Sequence, residues 1–442
     1  MTSLIACILL SGCGNGDAIV RNGFDYAEKQ LLIALEKVDS VIAESWPKGD
    51  TLVCPRTLEN GNYKLNKAKS WTSGFFPGCL WYMYEYTGKP EWKDAAVRFT
   101  SYMENEKKNV MTHDTGFKMY CSYGNGYRLT DDPSYRDVLI ESAYTLATRF
   151  NPNVGCTLSW SWTDWDFPVI IDNMMNLELL FFAARETGDR SLYDMAVSHA
   201  MTTMKNHFRE DNSTWHVLDY NPETGEVQGR YTWQGYNDDS TWSRGEAWAL
   251  YGFTMCYRET GIEDFLGQAR KVARYVLDSP TLPEDMVPYY DYDDPRIPDC
   301  PRDVSAAAVM ASAFYELCTL DADNAEEYKA AADTMIESMF NIYREGPGTR
   351  YGFILDHSTG AKKFEIDAPL IYADYYFLEA LMRRSRFLLY CFRTKFGNYQ
   401  TWVYQTYSKK SFAWCFDGYW CFDHCLFALL FPSQQDCAYG CL

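Results

Sequence analysis

TGKPEWKDAA, residues 87–96, returns as TGDRSLYDMA at 187–196 and as TGIEDFLGQA at 260–269. Looser copies are TDDPSYRDVL at 130–139 and LDADNAEEYKAA at 320–331. Each copy follows an apolar stretch of helical length and precedes an amphipathic one. The Thr-Gly pair closes the first helix, because glycine enters the left-handed conformation at little cost. The acids and proline behind it open the next. A helix–turn–helix unit that recurs cannot bury its apolar face alone, so its copies must stack.

Helical segments are expected to start near residues 24, 72, 91, 116, 134, 172, 190, 244, 262, 303, 325 and 367. Twelve helices make six hairpins, and six hairpins close into a toroid. The expected fold class is therefore all-α, an (α/α)6 barrel; an open helical solenoid is the alternative. Inner helices should be apolar throughout and outer ones striped. LELLFFAARE (177–186) and AWALYGFTMCYRE (247–259) fit the first class, KDAAVRFTSYMENE (93–106) and LGQARKVARYVLDS (266–279) the second.

The 442 residues, 47% hydrophobic, suffice for one large core, and the repeats favour one domain over the two or three that length alone suggests. A net charge of −19 argues against nucleic acid as a partner, since phosphate binding needs clustered Lys and Arg. Of the 15 cysteines, Cys54, Cys79, Cys121, Cys156, Cys256, Cys300 and Cys318 lie scattered without metal-ligand spacing and read as buried small hydrophobes. No metal and no organic cofactor is implied.

The two ends differ from this body. Residues 1–13 hold a short apolar run followed by Leu10-Ser11-Gly12-Cys13, the end of a bacterial lipoprotein-type signal in which Cys13 becomes the lipidated residue. The positive charge that normally opens such a signal is missing. On this reading the protein sits in a bacterial periplasm or cell envelope and meets a membrane only through the anchor. The catalytic domain is then 14–384. Residues 385–442 carry 17 aromatics and six cysteines but three acids, with no helical period, and read as an atypical tail outside the functional fold.

Loops before the inner helices are rich in tryptophan: KSWTSGFFPG at 69–78, SWSWTDWDFP at 159–168 and YTWQGYNDDSTWSRGEAW at 231–248. Aromatic faces beside amides and acids suit a sugar ring, which has apolar C–H faces and hydroxyls. Packing of the barrel mouth is the competing reading for any single tryptophan. At the start of one inner helix, VIIDNMMNLELLFF (169–182) places Asp172, Asn173 and Asn176 inside an apolar run. Asp there is a natural helix cap. THDTGFK (112–118) puts His113 and Asp114 at another inner-helix start. Two acids facing each other across the mouth are equipment for glycoside chemistry. The helix N-terminus favours the Asp172 anion and a nearby Asp114 disfavours it; for a general acid the second effect must win. Arg244 suits a carboxylate or sulfate through its donor fork, or else an ion pair with Glu246 or a loop acid.

HDTGF (113–117), IDNMMNL (171–177), and WQG (233–235) with SRGEAWALYG (243–252) together resemble glycoside hydrolase family 88, the unsaturated glucuronyl hydrolases. SWTSGFFPG (70–78), DVSAAAVMASAFYEL (303–317) and IYADYYFLEAL (371–381) agree, so the resemblance spans roughly residues 24–383 in order. It implies the (α/α)6 barrel and an unsaturated oligosaccharide as partner, with removal of a terminal 4,5-unsaturated uronate by hydration of its vinyl ether. Asp172 would be the acid and base, and Asp114 the second acid. His113, His216, Gln234, Arg244, Trp248, Trp71 and Trp160 would be pocket residues, with Gln234 and Arg244 near the uronate carboxylate or ring. The competing functions are an unsaturated rhamnogalacturonyl hydrolase, another (α/α)6 carbohydrate enzyme such as a lyase, and a non-catalytic glycan-binding lipoprotein.

Overall fold

The computed structural model describes residues 2–59, 61–344, 346 and 352–396, with side chains described between 18 and 387. A compact unit ends at Leu388. The Cys13 side chain and most of the 385–442 segment therefore lie outside the described residues.

The chain runs α1 (Thr2–Ser45), the hairpin β1 (Leu52–Glu59) and β2 (Asn62–Lys67), α2 (Phe75–Thr87), α3 (Pro90–Ser101), a π-helical segment Gly116–Gly124, α4 (Asn125–Thr130) and α5 (Pro133–Ala147). Short strands β3 (Phe150–Asn151), β4 (Cys156–Thr157) and β5 (Pro168–Ile170) follow, then a 3-10 segment Ile171–Asn176, α6 (Leu177–Thr187) and α7 (Arg190–Asn206). Strands β6 (Val217–Tyr220) and β7 (Val227–Tyr231) precede α8 (Ser243–Thr260), α9 (Glu263–Asp278), α10 (Val304–Leu320), α11 (Ala325–Asn341) and α12 (Ile371–Phe396). The molecule is mostly helical. Among the described residues no helix is long and apolar enough to cross a membrane.

The repeat works as its sequence suggests, with one addition. Gly88, Gly188 and Gly261 end α2, α6 and α8 at φ 67°, 75° and 67°. Asp131 takes the same left-handed place after α4, at φ 54°. The preceding threonine does the joining. Thr87, Thr130, Thr187 and Thr260 each donate their hydroxyl to the carbonyl four residues back and accept the N–H two residues ahead. One hydroxyl thus bonds back onto the last turn of the closing helix and orients the entry of the next. Asp132 and Asp189 then cap α5 and α7.

Burial separates the two helix classes. In α8 every residue from Ser243 to Cys256 is buried, and in α10 every residue from Val304 to Tyr315. In α9 only the stripe Phe265, Leu266, Gln268, Ala269, Val272, Ala273 and Val276 is buried. The apolar helices also share polar ties. Glu379 of α12 accepts from Tyr82 of α2 (2.9 Å), Tyr251 of α8 (3.2 Å) and Ser312 of α10 (2.6 Å).

The fold is mostly helical, as expected, and among the described residues it carries three small antiparallel sheets besides, β1–β2, β3–β4 and β5–β6–β7. Their strands are two to eight residues long, too short and irregular for an alternation signal to stand out. The inner helices expected near 116 and 172 do not start as α-helices but as π- and 3-10-helical turns. Such irregular turns concentrate at functional sites. The seven internal cysteines are, as expected, buried.

Candidate active site

The two irregular turns meet. Asn176 Oδ1 accepts the Phe117 N–H at 3.0 Å. Gly116 is required there: a Cβ at 116 would fall 2.6 Å from the Asn176 Cα. Asn173 makes the other tie. Its Oδ1 accepts from Ser159 Oγ (2.9 Å) and its Nδ2 donates to the Thr157 carbonyl (2.8 Å). The Ser159 carbonyl in turn receives His113 Nδ1 at 2.7 Å. The two amides of the IDNMMN run therefore do not face a ligand. They are buried fasteners that bring the Asp114 loop and the Asp172 turn to one place.

That place is a cavity of about 310 Å³. Its lining includes Trp71, His113, Asp114, Trp160, Asp172 and Gln234 from the expected set. It also includes residues that no sequence signal singled out, among them Arg56, Met111, Phe364, Glu365 and Tyr372. One wall is aromatic. Trp160 stacks on Trp162 with centroids 5.0 Å apart, and Trp162 meets Trp233 edge to face at 4.9 Å. Trp162 and Trp233 are 60% and 45% exposed, which leaves their faces free for a ligand. Both lie within the tryptophan-rich loops. On the other side Trp71 packs against Tyr372 at 4.9 Å.

Asp172 is 6% exposed, and burial pushes its carboxyl up to about 7. The Arg244 charge opposes that rise, the Asp114 charge adds to it, and the Trp248 indole N–H favours the anion from close by without reaching hydrogen-bond geometry. Mutual repulsion of two acids is thus a lesser cause than desolvation. Asp172 is not a helix cap either. The cap position belongs to Ile170, and Asp172 Oδ2 has no hydrogen-bond partner.

His216 Nε2 stands 3.6 Å from that oxygen. The His216 tautomer is set from behind: Nδ1 accepts the N–H groups of Trp233 (3.1 Å) and Gln234 (3.3 Å), so the ring proton sits on Nε2, facing Asp172. Burial holds the His216 pKa well below its ordinary value and lowers that of His113, so both rings are neutral. Asp114 is fixed by Thr112 Oγ1 (3.0 Å) and lies 3.1 Å from His113 Nε2, outside hydrogen-bond geometry.

Three expected pocket residues, His216, Arg244 and Trp248, do not line the cavity. Arg244 is fully buried and does not line the cavity. Its guanidinium pairs with Asp303, not Glu246, and donates to the carbonyls of Thr359 (2.7 Å) and Gly360 (2.6 Å). Glu246 instead accepts from Thr214. Arg244 acts on Asp172 through its field and anchors the loop that carries Gly360 and Glu365. Trp248 is fully buried against Phe117 and Tyr376. Gln234 lines the cavity, but its amide N–H is given to the Gly360 carbonyl at 2.9 Å. Among the described residues no cluster of three or more His, Cys, Asp or Glu is gathered to hold a metal.

Residues 52–287 match the family model described as Glycosyl Hydrolase Family 88. An unsaturated glucuronyl hydrolase of Formosa agariphila is 47% identical over 343 residues, which are 76% of this chain and 85% of the relative. The crystal structure of an unsaturated glucuronyl hydrolase specific for heparin is similar with a TM-score of 0.78 and 40% identity, covering 84% of this chain and 98% of that one. A mutant unsaturated glucuronyl hydrolase of Streptococcus agalactiae, complexed with dGlcA-GalNAc6S, is similar with a TM-score of 0.67 and 29% identity, covering 82% of this chain and 90% of that one.

Proposed function

We propose, from the premise that this chain belongs to glycoside hydrolase family 88 and is an unsaturated glucuronyl hydrolase, that Asp172 is the group that moves the proton. The enzyme acts on unsaturated oligosaccharides derived from glycosaminoglycans. The terminal uronate of such a substrate has a C4=C5 double bond joined to the ring oxygen, a vinyl ether. Asp172, as the neutral acid, protonates C4. Positive charge then develops at C5 and is shared with the ring oxygen. The Asp172 anion takes a proton from water while that water's oxygen bonds to C5. The resulting hemiketal opens, the C5–ring oxygen bond breaks, and the hemiacetal left at C1 releases the neighbouring sugar as an alcohol.

One observation carries this assignment: a buried carboxyl opening on the cavity, with one oxygen unpaired and a proton affinity raised to about 7. A group that must give a proton and take one back works best when its pKa is near the working pH. His216, with its proton on Nε2, steadies the Asp172 anion when it forms. Asp114 holds a substrate hydroxyl from the opposite turn. The aromatic wall of Trp160, Trp162 and Trp233 receives the leaving sugar. The same reading takes the six hairpins to close as an (α/α)6 barrel whose mouth is this cavity. It also keeps the chain at the bacterial cell envelope through a lipidated Cys13, which labelling with a radioactive fatty acid would test.

Loss of the ultraviolet band of the conjugated double bond is the direct assay. Unsaturated glycosaminoglycan disaccharides should lose the band with the wild type and keep it with Asp172→Asn. Persistent activity in a folded Asp172→Asn protein would remove Asp172 from its role.

A further inference from the structure

The substrate is an anion, yet the cavity holds three carboxyl groups, Asp114, Asp172 and Glu365, and one cation, Arg56. Arg244 does not compensate, because its guanidinium is sealed beneath the cavity on Asp303 and two carbonyls. Lys362, on the same loop as Glu365, gives its ammonium to the Tyr236 carbonyl and does not line the cavity. Arg56 is held in place by one partner. Its Nε and Nη2 grip the two oxygens of Glu365, the second at 2.9 Å, while Nη1 makes no hydrogen bond among the described residues. The loop that carries this carboxylate is tied at its backbone. Ser358 and Ala368 exchange backbone hydrogen bonds at 3.0 and 2.9 Å, and the Gly360 N–H donates to the Glu365 carbonyl at 2.8 Å.

The geometry points to Arg56 as the residue that selects for an oxyanion on the substrate, presenting its free Nη1 edge to the cavity while Glu365 holds the guanidinium and competes with the ligand for its charge. This rests on the reading of the cavity as the substrate site. A guanidinium locked by a bidentate carboxylate loses little freedom on meeting a second anion. Glu365 lowers the net charge of the pair, so the same pair rejects neutral ligands weakly and rewards anionic ones. The oxyanion is either the uronate carboxylate itself or a sulfate on the neighbouring sugar.

The test measures KM and kcat for unsulfated and sulfated unsaturated chondroitin disaccharides with wild type, Arg56→Gln and Glu365→Gln. Arg56→Gln should raise KM on the order of tenfold or more with a smaller change in kcat. Glu365→Gln should lower KM, because the competing anion is gone. A purely structural pair predicts that both variants loosen the same loop and move KM the same way; that result, or an unchanged KM in Arg56→Gln, overturns the inference. A rise on both disaccharides identifies the uronate carboxylate as the ligand, and a rise confined to the sulfated one identifies the sulfate. If Arg56→Gln does not fold, the sign of the Glu365→Gln effect alone decides. Wild type inactive on every disaccharide would instead sink the functional reading beneath it.

Discussion

Asp172 and Glu316 are both carboxylates set among the apolar helices, with 9% and 11% of their side chains exposed, and their surroundings drive them in opposite directions. Glu316, late in α10, is reached by Arg258 of α8 and by Arg383 of α12 at 2.8 Å. Burial alone would push its carboxyl up, but the two guanidinium groups overcome it and hold the pKa below the ordinary value. Asp172 has a neutral histidine at 3.6 Å, and its arginine is spent on other partners. Burial wins there, and the carboxyl rises to about 7. Desolvation is common to both sites. What separates these two acids is that guanidinium groups touch Glu316 and none touches Asp172.

The largest expected effect falls on the chemical acid. Asp172→Asn should reduce kcat by about 10²–10⁴-fold, the range for a positioned general acid, read from the decay of the ultraviolet band. Its stability should move the other way. A folded pKa raised from 3.8 to about 7 means that Asp172 is harmless below pH 3.8, costs stability progressively between there and pH 7, and costs its full amount above that. The ceiling on that cost is about 4 kcal/mol. Thermal unfolding should therefore show the variant matching wild type at about pH 3 and surpassing it at about pH 8. A variant less stable than wild type at pH 8 would break the contrast.

Next comes the structural side. Arg258→Met strips the cation that serves Glu178 and Glu316 and should cost about 3 kcal/mol in denaturant unfolding, since it leaves the largely buried Glu178 carboxylate without its cation and Glu316 with Arg383 alone. Activity per folded molecule should stay within a few-fold of wild type. Smaller again is the pH profile of the wild type. If the acid form of Asp172 starts the reaction, kcat/KM is level below pH 7 and falls about tenfold per unit above it. A profile still rising at pH 9 would assign the proton to another group. The smallest effect is on the repeat: Thr187→Val removes one hydroxyl from the α6–α7 turn and should cost about 1 kcal/mol without touching catalysis.

How far these sites were legible follows from distance along the chain. The Thr-Gly hairpins declare themselves because every contact that makes them falls within four residues. The inner and outer helices separate by composition, since a wholly buried helix needs no polar face. Asp114 and Asp172 stand out as acids in otherwise apolar helix starts. By contrast, sequence leaves open whether Asn173 and Asn176 orient the helix start or the substrate, and they prove to be fasteners to Thr157 and Phe117. Arg244 looks like a carboxylate receptor and proves to be committed to Asp303. Arg56 and Glu365, 309 positions apart, carry no local mark at all.

The amino-acid order by itself determined the helical hairpins, which helices are wholly buried and which are striped, and the pair of acids at two helix starts, because periodicity, turn chemistry and residue type act locally. Tertiary structure decided which acid is neutral, which arginine remains available to a ligand and which amides are spent on the scaffold. Those properties are set by desolvation and by contacts between remote segments, and both come into being only when the chain has packed.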